Sequence, residues 1–514
     1  MNHASLPSTT DILVAGGGPA GATIARLLAG FGFQVVLLEK RRFPRHQIGE
    51  SLTPRIFPIL DFLGVRAQVE AAGFLRMIGH TVCWGSAQPR TSYYSPDHNR
   101  HGFQVWREDF DSLLLRHART GGVEVIEDLG IESVTLGDAA VVAHTGSGSC
   151  TAAFFIDASG HSGILARQGF RQRDATFQTL AVTGYWRDAT NPSGIDAANT
   201  ILETYPHGLV WSVPLHNGLR NVTLLIDWHL GNRIREAGLA SFYHSELRQV
   251  SYITRFLANA RLAQPLQVFD ATWYTAAPFA GEQFLLVGDA GLFVDPLSSE
   301  GVHKAMASAI TGAIVVHTIL KRPAAATAAI QFYQENQRHT YDSHYAESVR
   351  YYGEERRWPE APFWEKRTRE QFRVRSSEFG VSNPQSAIGN RQSATPSMRK
   401  PTTVEAVRIA SDVKIAQRPV IEGPFVEVRE VVIAPPYPRG VRFLHEVCVP
   451  VLLHQVETHT GVADIMTAYL NTPEGRRCRP ESVRQVLARL YRENVLVAGA
   501  EAVTPTTPGE TQSD

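Results

Sequence analysis

The chain has 514 residues, of which 43% are hydrophobic and 19% are charged, as expected of a globular protein with a large core. Its 50 lysines and arginines balance 50 aspartates and glutamates, so the formal net charge is zero. This balance provides no basic surface of the kind that binds nucleic acid or an anionic membrane, so we expect neither as a partner.

The first predicted elements form a dinucleotide-binding motif. An apolar strand begins at Asp11 and ends at three glycines with G-x-G-x-x-G spacing, Gly16, Gly18 and Gly21. A helical run over 22–30 and an apolar strand over 34–38 follow, and Glu39 comes directly after that strand. The glycines permit a tight turn, close approach of a pyrophosphate and close helix packing, while the acid suits ribose hydroxyls. The start of the chain therefore predicts a site for an adenine dinucleotide.

The middle of the chain changes from mixed α/β to β-rich sequence. A basic loop over 40–51 is followed by short helices and strands up to residue 175. Residues 176–280 alternate apolar strands, one of which carries Trp211, with Gly, Pro and Asn turns. We expect this segment to form an antiparallel layer that covers a substrate cavity.

After residue 280 the sequence returns to α/β character. An apolar strand ends at Gly288-Asp289, and a turn at Pro296 leads into a long helix that begins at Val302. The aspartate is placed to bind a sugar hydroxyl, and the free N–H groups of the helix can face an electron-rich ring. The predicted fold class is therefore α/β (α+β), a Rossmann-like domain with an inserted antiparallel substrate domain.

The remaining sequence predicts a separate C-terminal module. Residues 373–400 are rich in Ser, Asn, Gln, Gly and Pro, which is typical of a linker. The module over 401–500 has the element order of a winged helix, with strands near 426–433, helices over 443–456, 462–470 and 482–494, and a last strand over 495–497. We expect a disordered tail over 501–514. The preceding domain limits are 1–175 for the first part of the dinucleotide domain, 176–280 for the substrate domain and 281–372 for the return of the first domain with its helices.

Cysteine spacing and the N-terminus bear on the cellular compartment. The cysteines are scattered, with no C-x-x-C spacing, which argues against disulfides and against a zinc site (Cys83, Cys150, Cys448 and Cys478). Residues 1–10 lack the features of a secretory signal, and we expect no apolar run long enough to span a bilayer. The prediction is a cytoplasmic protein without a bound metal.

Four motifs together resemble one superfamily. They are the glycine turn, Arg107 before Phe110-Asp111, Asp157-Ala-Ser-Gly160, and Gly288-Asp289 with Pro296. Over roughly residues 10–350 the chain resembles the para-hydroxybenzoate-hydroxylase-type flavoprotein monooxygenases, and the segment 43–51 (FPRHQIGES) resembles their flavin-dependent halogenase branch. The resemblance implies O₂ as co-substrate and FAD as cofactor, bound by Gly16, Gly18, Pro19, Ala20, Gly21, Glu39, Lys40, Arg45, Ser51, Arg107, Asp289, Pro296, Gly301 and Val302.

Three features depart from the halogenase pattern. These halogenases need a lysine that accepts hypohalous acid, expected here near residues 74–79, but no lysine occurs between Lys40 and Lys304. The first tryptophan of the family's W-x-W-x-I-P motif is Leu209 in this chain, and Ser298 stands where tryptophan halogenases have a glutamate. We therefore expect a chain that has lost halide chemistry and hydroxylates an electron-rich aromatic.

The C-terminal module refines this expectation. Its element order resembles the PqqD-like peptide-recognition domains, which bind a peptide along a strand edge. The alternative is a winged helix that only packs on the catalytic domain. A halogenase-like flavoprotein with such a module resembles the monooxygenases that hydroxylate a peptidyl tryptophan during tryptophylquinone cofactor maturation. This implies a protein or peptide substrate and a radical-SAM maturation enzyme as partners. Two alternatives remain open, a halogenase of a small or carrier-bound aromatic and a non-catalytic flavin-binding partner protein.

Catalytic candidates are few. His80, Trp211 and Glu300 are predicted to line the pocket beside the flavin, where a carboxylate can assist deprotonation, although such histidines and aromatics in β-rich sequence more often belong to the core. No second dinucleotide fingerprint is visible. We therefore expect FAD to be reduced transiently by NAD(P)H or by a separate flavin reductase.

Overall fold

The computed structural model of the protein describes residues 6–175, 177–368 and 406–498. They form two compact units, which divide between residues 391 and 392. The predicted linker over 373–400 and the predicted tail over 501–514 lie outside the described residues, and both stay predictions.

The first unit is built on a seven-stranded sheet that is parallel at its centre. The strand Thr9–Ala15 lies between Val35–Glu39 and Gly148–Asp157 and runs parallel to both. Their central and C-terminal parts are buried and mostly apolar, as expected of parallel strands that are covered on both faces. The other strands are Glu124–Glu127 and Phe284–Leu286, which join in parallel, and the antiparallel edge strands Ile131–Leu136 and Val141–Thr145.

Long helices pack beside this sheet. Pro19–Gly30 contacts both Arg107–Thr120 and Gly301–Lys321. It begins at Pro19, three residues before the predicted start, because proline is well suited to the first turn of a helix. Among the described helices, Gly301–Lys321 is the one long and apolar enough to cross a membrane, but 67% of its apolar window is buried inside the protein, as in a core helix.

The predicted antiparallel layer is confirmed as an eight-stranded sheet. Its neighbouring strands are antiparallel, except for one parallel pair between Thr200–Tyr205 and Gly79–Cys83. A buried apolar cluster joins one face to the helix Leu239–Leu247. Two of the strands precede the predicted 176–280 segment. In spatial order the strands are Arg261–Leu262, Thr179–Arg187, Leu219–Asp227, Gly208–Pro214, Thr200–Tyr205, Gly79–Cys83 and Arg90–Tyr93, with Gln267–Asp270 also paired to the second.

Two small sheets and further helices also belong to the first unit. Two small three-stranded sheets consist of Ser51–Leu52, Gly102–Gln104 and Leu75–Met77, and of Arg171–Arg173, Tyr274–Ala276 and Leu292–Phe293. The remaining α-helices are Phe57–Leu63, Arg66–Ala71, Gly231–Ala237, Leu239–Leu247, Ala326–Glu354 and Pro362–Thr368.

The second unit has its own apolar core beneath a three-stranded antiparallel sheet. Its strands are Val407–Ile409 paired with Leu496–Ala498, the sheet of Lys414–Glu422, Phe425–Ala434 and Tyr437–Val441, and the short pair Phe443–Leu444 and Val447–Cys448. Its α-helices are Val449–Thr458, Val462–Leu470 and Pro480–Arg492.

One predicted helix of this unit begins in the wrong place. The sequence predicts a helix over 443–456, but residues 443–448 form the short strand pair, and the helix begins at Val449. His445 has a positive φ of 51°, which turns the chain, and Pro450 occupies the first helical turn. The winged-helix interpretation stays a prediction.

Candidate functional site

A cavity of about 710 Å³ opens where the parallel strands end. Residues at or just after the carboxyl ends of four strands line it, namely Ala15, Glu39, Ala158 and Val287. Open α/β sheets bind their ligands at this edge. The cavity continues from there to one face of the antiparallel sheet.

The glycine turn borders the cavity and shapes it by close backbone contacts. Gly16 has a φ of 101°, and a Cβ there would lie 2.6 Å from the carbonyl oxygen of Ala158. A Cβ on Gly21 would lie only 1.9 Å from the carbonyl oxygen of Gly16. A Cβ on Gly18 would meet only the end of the Arg45 side chain, at 3.2 Å. Gly16 and Gly18 therefore line the cavity, whereas Gly21 lets the helix approach the turn and does not line it.

Glu39 presents a buried carboxylate at this end of the cavity. Its Oε2 accepts a hydrogen bond from the N–H of Gly17 at 2.8 Å, and its Oε1 accepts one from the N–H of Arg41 at 3.0 Å. The neighbouring Lys40 donates to Ser162 Oγ at 2.6 Å, and burial lowers the pKa of its ammonium group. Backbone N–H groups thus hold Glu39 in the position that the motif requires for a ribose acceptor.

Two arginines share one buried aspartate behind the cavity wall. Arg107 makes two hydrogen bonds of 2.9 Å to Asp111, and Arg45 Nη1 lies 3.3 Å from the same carboxylate. Arg107 also donates to the backbone carbonyl of Ile48 at 2.5 Å. This arrangement fixes the segment after Arg45 against the cavity. Sequence reasoning assigned no role to Asp111, although the i, i+4 spacing of Arg107 and Asp111 in a helix is a signal for the pair.

The second glycine turn places Asp289 on the opposite side of the cavity. Lys304 Nζ lies 3.0 Å from Asp289 Oδ1 and 2.7 Å from the carbonyl oxygen of Leu292. The ammonium group is buried, so it orients the aspartate rather than contacting solvent. Sequence reasoning missed Lys304, for which the signal was a lysine in the first turn of an apolar helix.

A turn at Pro296–Ser298 leads to the helix N-terminus that borders the cavity. Asp295 Oδ1 accepts a hydrogen bond from the N–H of Leu297 at 3.1 Å, and Tyr352 donates to its other oxygen. Burial raises the pKa of Asp295 to about 6. Pro296, Gly301 and Val302, which the motif predicts to bind the cofactor, line the cavity.

Thirteen of the fourteen predicted cofactor residues line this one cavity, with Gly21 as the exception, whereas only one of the three catalytic candidates does. Trp211 lines the cavity. Glu300 lies outside the lining, where its Oε1 accepts a hydrogen bond from the Thr53 hydroxyl at 3.0 Å and its Oε2 lies 3.0 Å from His303 Nδ1. His80 also lies outside it. Ser299 has a left-handed φ of 54°, and this turn precedes Glu300 in the chain. The catalytic roles stay predictions.

The antiparallel sheet contributes a second, uncharged wall. Its lining residues alternate along the strands, because every second side chain of a strand points to the same face. Apart from Trp211, sequence reasoning did not assign them. They are Ala181, Thr200, Leu202, Trp211, Val213, Gln267, Phe269 and Ala271.

The donor set of the cavity fits FAD. A helix N-terminus and a glycine turn suit the pyrophosphate, Glu39 suits the ribose, and Asp289 and the helix beginning at Gly301 border the far side. The fold and this site define an FAD-binding flavoprotein. The sequence model of the FAD binding domain family matches residues 9–346, and the chain belongs to this family.

Relatives and solved structures place the chain near the halogenases. It is 39% identical over 341 residues to the tryptophan 2-halogenase of Chondromyces crocatus, an alignment that covers 64% of this chain and 65%, just under two thirds, of that relative. The crystal structure of CmlS, a flavin-dependent halogenase, is similar with a TM-score of 0.76 and 26% identity, covering 96% of both chains.

The predicted hydroxylase function is wrong. The structure of QhpG, a peptidyl tryptophan dihydroxylase essential for tryptophylquinone cofactor biogenesis, has a TM-score of 0.68 over 94% of this chain and 98% of that chain. Its identity is only 23%, so this likeness shows a shared fold. The 39% identity is to a halogenase, and it overturns an expectation that depended on missing residues and on the C-terminal module.

Proposed function

We propose that the chain is an FAD-dependent halogenase of an electron-rich aromatic substrate. The observation that carries this proposal is the 39% identity to a tryptophan 2-halogenase over 341 residues. Reduced FAD supplies the electrons that activate O₂ for oxidation of a halide. We expect the reducing electrons to come from a separate flavin reductase or transiently from NAD(P)H.

The uncharged wall supports an aromatic substrate. Trp211 and Phe269 offer ring surfaces, and Gln267 and Thr200 offer hydrogen-bonding groups, while the sheet places no charged side chain among the described lining residues. Aromatic groups prefer such a mixture of stacking surface and a few polar contacts. The proposal leaves open whether the aromatic is a small molecule or is attached to a carrier.

The proposal does not require a lysine from residues 41–303, where the sequence has none. The two flanking lysines already have partners, since Lys40 donates to Ser162 and Lys304 donates to Asp289. In this proposal the oxidised halogen therefore reaches the substrate without a free amine from that span.

The test supplies the full-length, FAD-loaded protein with a flavin reductase, NADH, O₂ and bromide or chloride. Acceptors are tryptophan, indole, a tryptophan-containing peptide and a phenol, and products are analysed by mass spectrometry. We expect a halogenated product that depends on the halide and on the protein. Oxygenated products without halogen, from protein that turns over its flavin, contradict the proposal.

A matched pair of variants tests the uncharged wall. We expect Trp211→Ala to keep FAD but to lower halogenation at least about tenfold, because the substrate loses its ring contact. The control is Trp228→Ala, since Trp228 is 46% exposed and outside the cavity lining. Equal activity of the two variants contradicts a substrate position on this wall.

A further inference from the structure

Glu50 bridges the cofactor side of the cavity and the antiparallel sheet. It lines the cavity and is 2% exposed. Its Oε1 accepts hydrogen bonds from the Tyr185 hydroxyl at 2.5 Å and from Asn221 Nδ2 at 3.2 Å, and its Oε2 accepts one from the N–H of Gly49 at 3.0 Å. Tyr185 and Asn221 stand opposite each other on neighbouring strands. Three donors thus surround one buried carboxyl group.

Within the part of the chain that the structure describes, no charged side chain forms an ion pair with Glu50. Arg107, whose charge acts on Glu50, makes two hydrogen bonds of 2.9 Å to the Asp111 carboxylate instead. His46 packs edge-on against the Tyr185 ring with 5.1 Å between ring centres, and burial together with Arg107 lowers the pKa of this imidazole. Glu108, on the same helix as Arg107, lies 3.8 Å from His46 Nδ1.

Two opposing influences therefore act on the Glu50 proton. Burial raises the pKa of Glu50 and favours the neutral acid, whereas the Tyr185 hydroxyl, the N–H of Gly49 and the charge of Arg107 favour the carboxylate. Such a balance is sensitive to one additional charge in the same cavity, because the Coulomb interaction is strong where water is excluded.

We propose that Glu50 is a redox-linked proton site, a carboxylate while the bound FAD is oxidised and a neutral acid while it is reduced. Two electrons from an external donor, such as reduced nicotinamide, and one proton convert FAD to its anionic reduced form. The added negative charge lies in the cavity that Glu50 lines, so Glu50 takes up a second proton from solvent. Both protons leave when two electrons are withdrawn. Binding of FAD suffices for this proposal, which does not depend on the halogenase function.

The test measures the FAD midpoint potential by spectroelectrochemistry in the full-length, FAD-loaded protein between about pH 6 and pH 8, without halide or substrate. A further proton in a two-electron couple adds about 30 mV per pH unit, by the tenfold constant for such couples. We expect the potential of the wild type to fall with pH more steeply than that of Glu50→Gln by up to this amount. Equal slopes in the two proteins overturn the proposal.

A second variant keeps the proposal testable if Glu50→Gln fails to bind FAD. Tyr185→Phe removes one donor that favours the carboxylate, so the steep part of the pH dependence moves to higher pH. The matched control is Tyr243→Phe, because Tyr243 is a buried tyrosine whose hydroxyl donates to the Val222 carbonyl instead. A Tyr185→Phe profile identical to that of the control overturns the proposal.

Discussion

The two walls of the cavity differ in the side chains that they present. The wall formed by the parallel sheet and its loops carries glycines and most of the charged groups, among them Glu39, Arg45 and Asp289. The wall formed by the antiparallel sheet presents uncharged side chains such as Trp211 and Phe269. The charged FAD accounts for the first wall, and the second wall fits the aromatic substrate that we propose.

The charged wall is also the more interdependent of the two. Asp111 is fully buried and pairs with the guanidinium groups of Arg45 and Arg107. Lys304 is buried and pairs with Asp289. Arg107 and Asp111 form a buried ion pair, and breaking such a pair costs about 3–5 kcal/mol. We therefore expect substitutions on the cofactor wall to have larger effects on stability and FAD binding than substitutions on the sheet wall.

The largest expected effect comes from the glycine turn. Gly21→Ala places a Cβ 1.9 Å from the Gly16 carbonyl oxygen, which is backbone and has no room to move, so we expect loss of FAD binding with destabilisation above about 4 kcal/mol. Gly18→Ala meets only the Arg45 side chain, so we expect a folded protein with weakened FAD affinity. Urea unfolding and FAD content measure both effects. Equal stability of the two variants contradicts this difference.

The cofactor wall could be predicted from sequence because its residues follow one another in short motifs. Gly16, Gly18 and Glu39 belong to a local pattern whose geometry is determined by the turn and the helix that follows it. Lys304 was missed because its role depends on the groups that the fold brings to it, and Asp111 because its second partner, Arg45, is distant in the chain. Glu300 was expected in the cavity because it lies close to Pro296 in the chain, but its side chain lies outside the lining. It follows a left-handed turn at Ser299, which the sequence did not predict.

The sheet wall could not be predicted in the same way. Its residues belong to four strands, except for one that follows the last of these strands in the chain. Which face of the sheet each side chain occupies depends on the pairing register, because a shift of one residue would move it to the opposite face. His80 illustrates the difficulty, because its strand belongs to this sheet while its side chain lies outside the cavity lining. The choice between hydroxylase and halogenase was likewise beyond residue patterns, since it depended on residues that are missing.

An intermediate effect is expected at the lysine behind Asp289. Lys304→Met removes the ammonium group 3.0 Å from Asp289 Oδ1, so the carboxylate loses its orientation and its negative charge is no longer compensated. A hydrogen bond to a charged group contributes about 1.5–3 kcal/mol, and about 1.4 kcal/mol corresponds to a factor of ten in affinity. We therefore expect FAD affinity to be weakened about tenfold or more. Quenching of flavin fluorescence measures the dissociation constant.

The control for that variant lies on the same helix. Lys321→Met removes a lysine at the exposed C-terminal end of Gly301–Lys321, far along the helix from Asp289. We expect its FAD affinity to match that of the wild type. Equal weakening by both variants would show a general effect of charge rather than orientation of Asp289.

The smallest effect is expected at Asp295, which does not line the cavity. Asp295 caps the turn that precedes the helix Gly301–Lys321 and accepts a hydrogen bond from Tyr352. The fully buried Arg367 donates a hydrogen bond of 2.7 Å to Thr179, at the start of an antiparallel strand. Burial raises the pKa of Asp295 to about 6, only partly offset by Tyr352 and by the charge of Arg367. The folded state therefore holds this proton more tightly than the unfolded state does.

The sign of the pH dependence follows from that difference. The stability that the Asp295 proton contributes is fully present below the unfolded pKa of about 4 and is lost as the pH rises through about 6. Asp295→Asn cannot titrate, so the free energy of unfolding of the wild type should fall by about 1 kcal/mol relative to this variant between about pH 5 and pH 7. Asp61→Asn is the control, because the Asp61 side chain is 53% exposed. Urea unfolding of the FAD-loaded proteins at both pH values measures the difference, and a constant gap between wild type and Asp295→Asn would show that Asp295 does not titrate in this range.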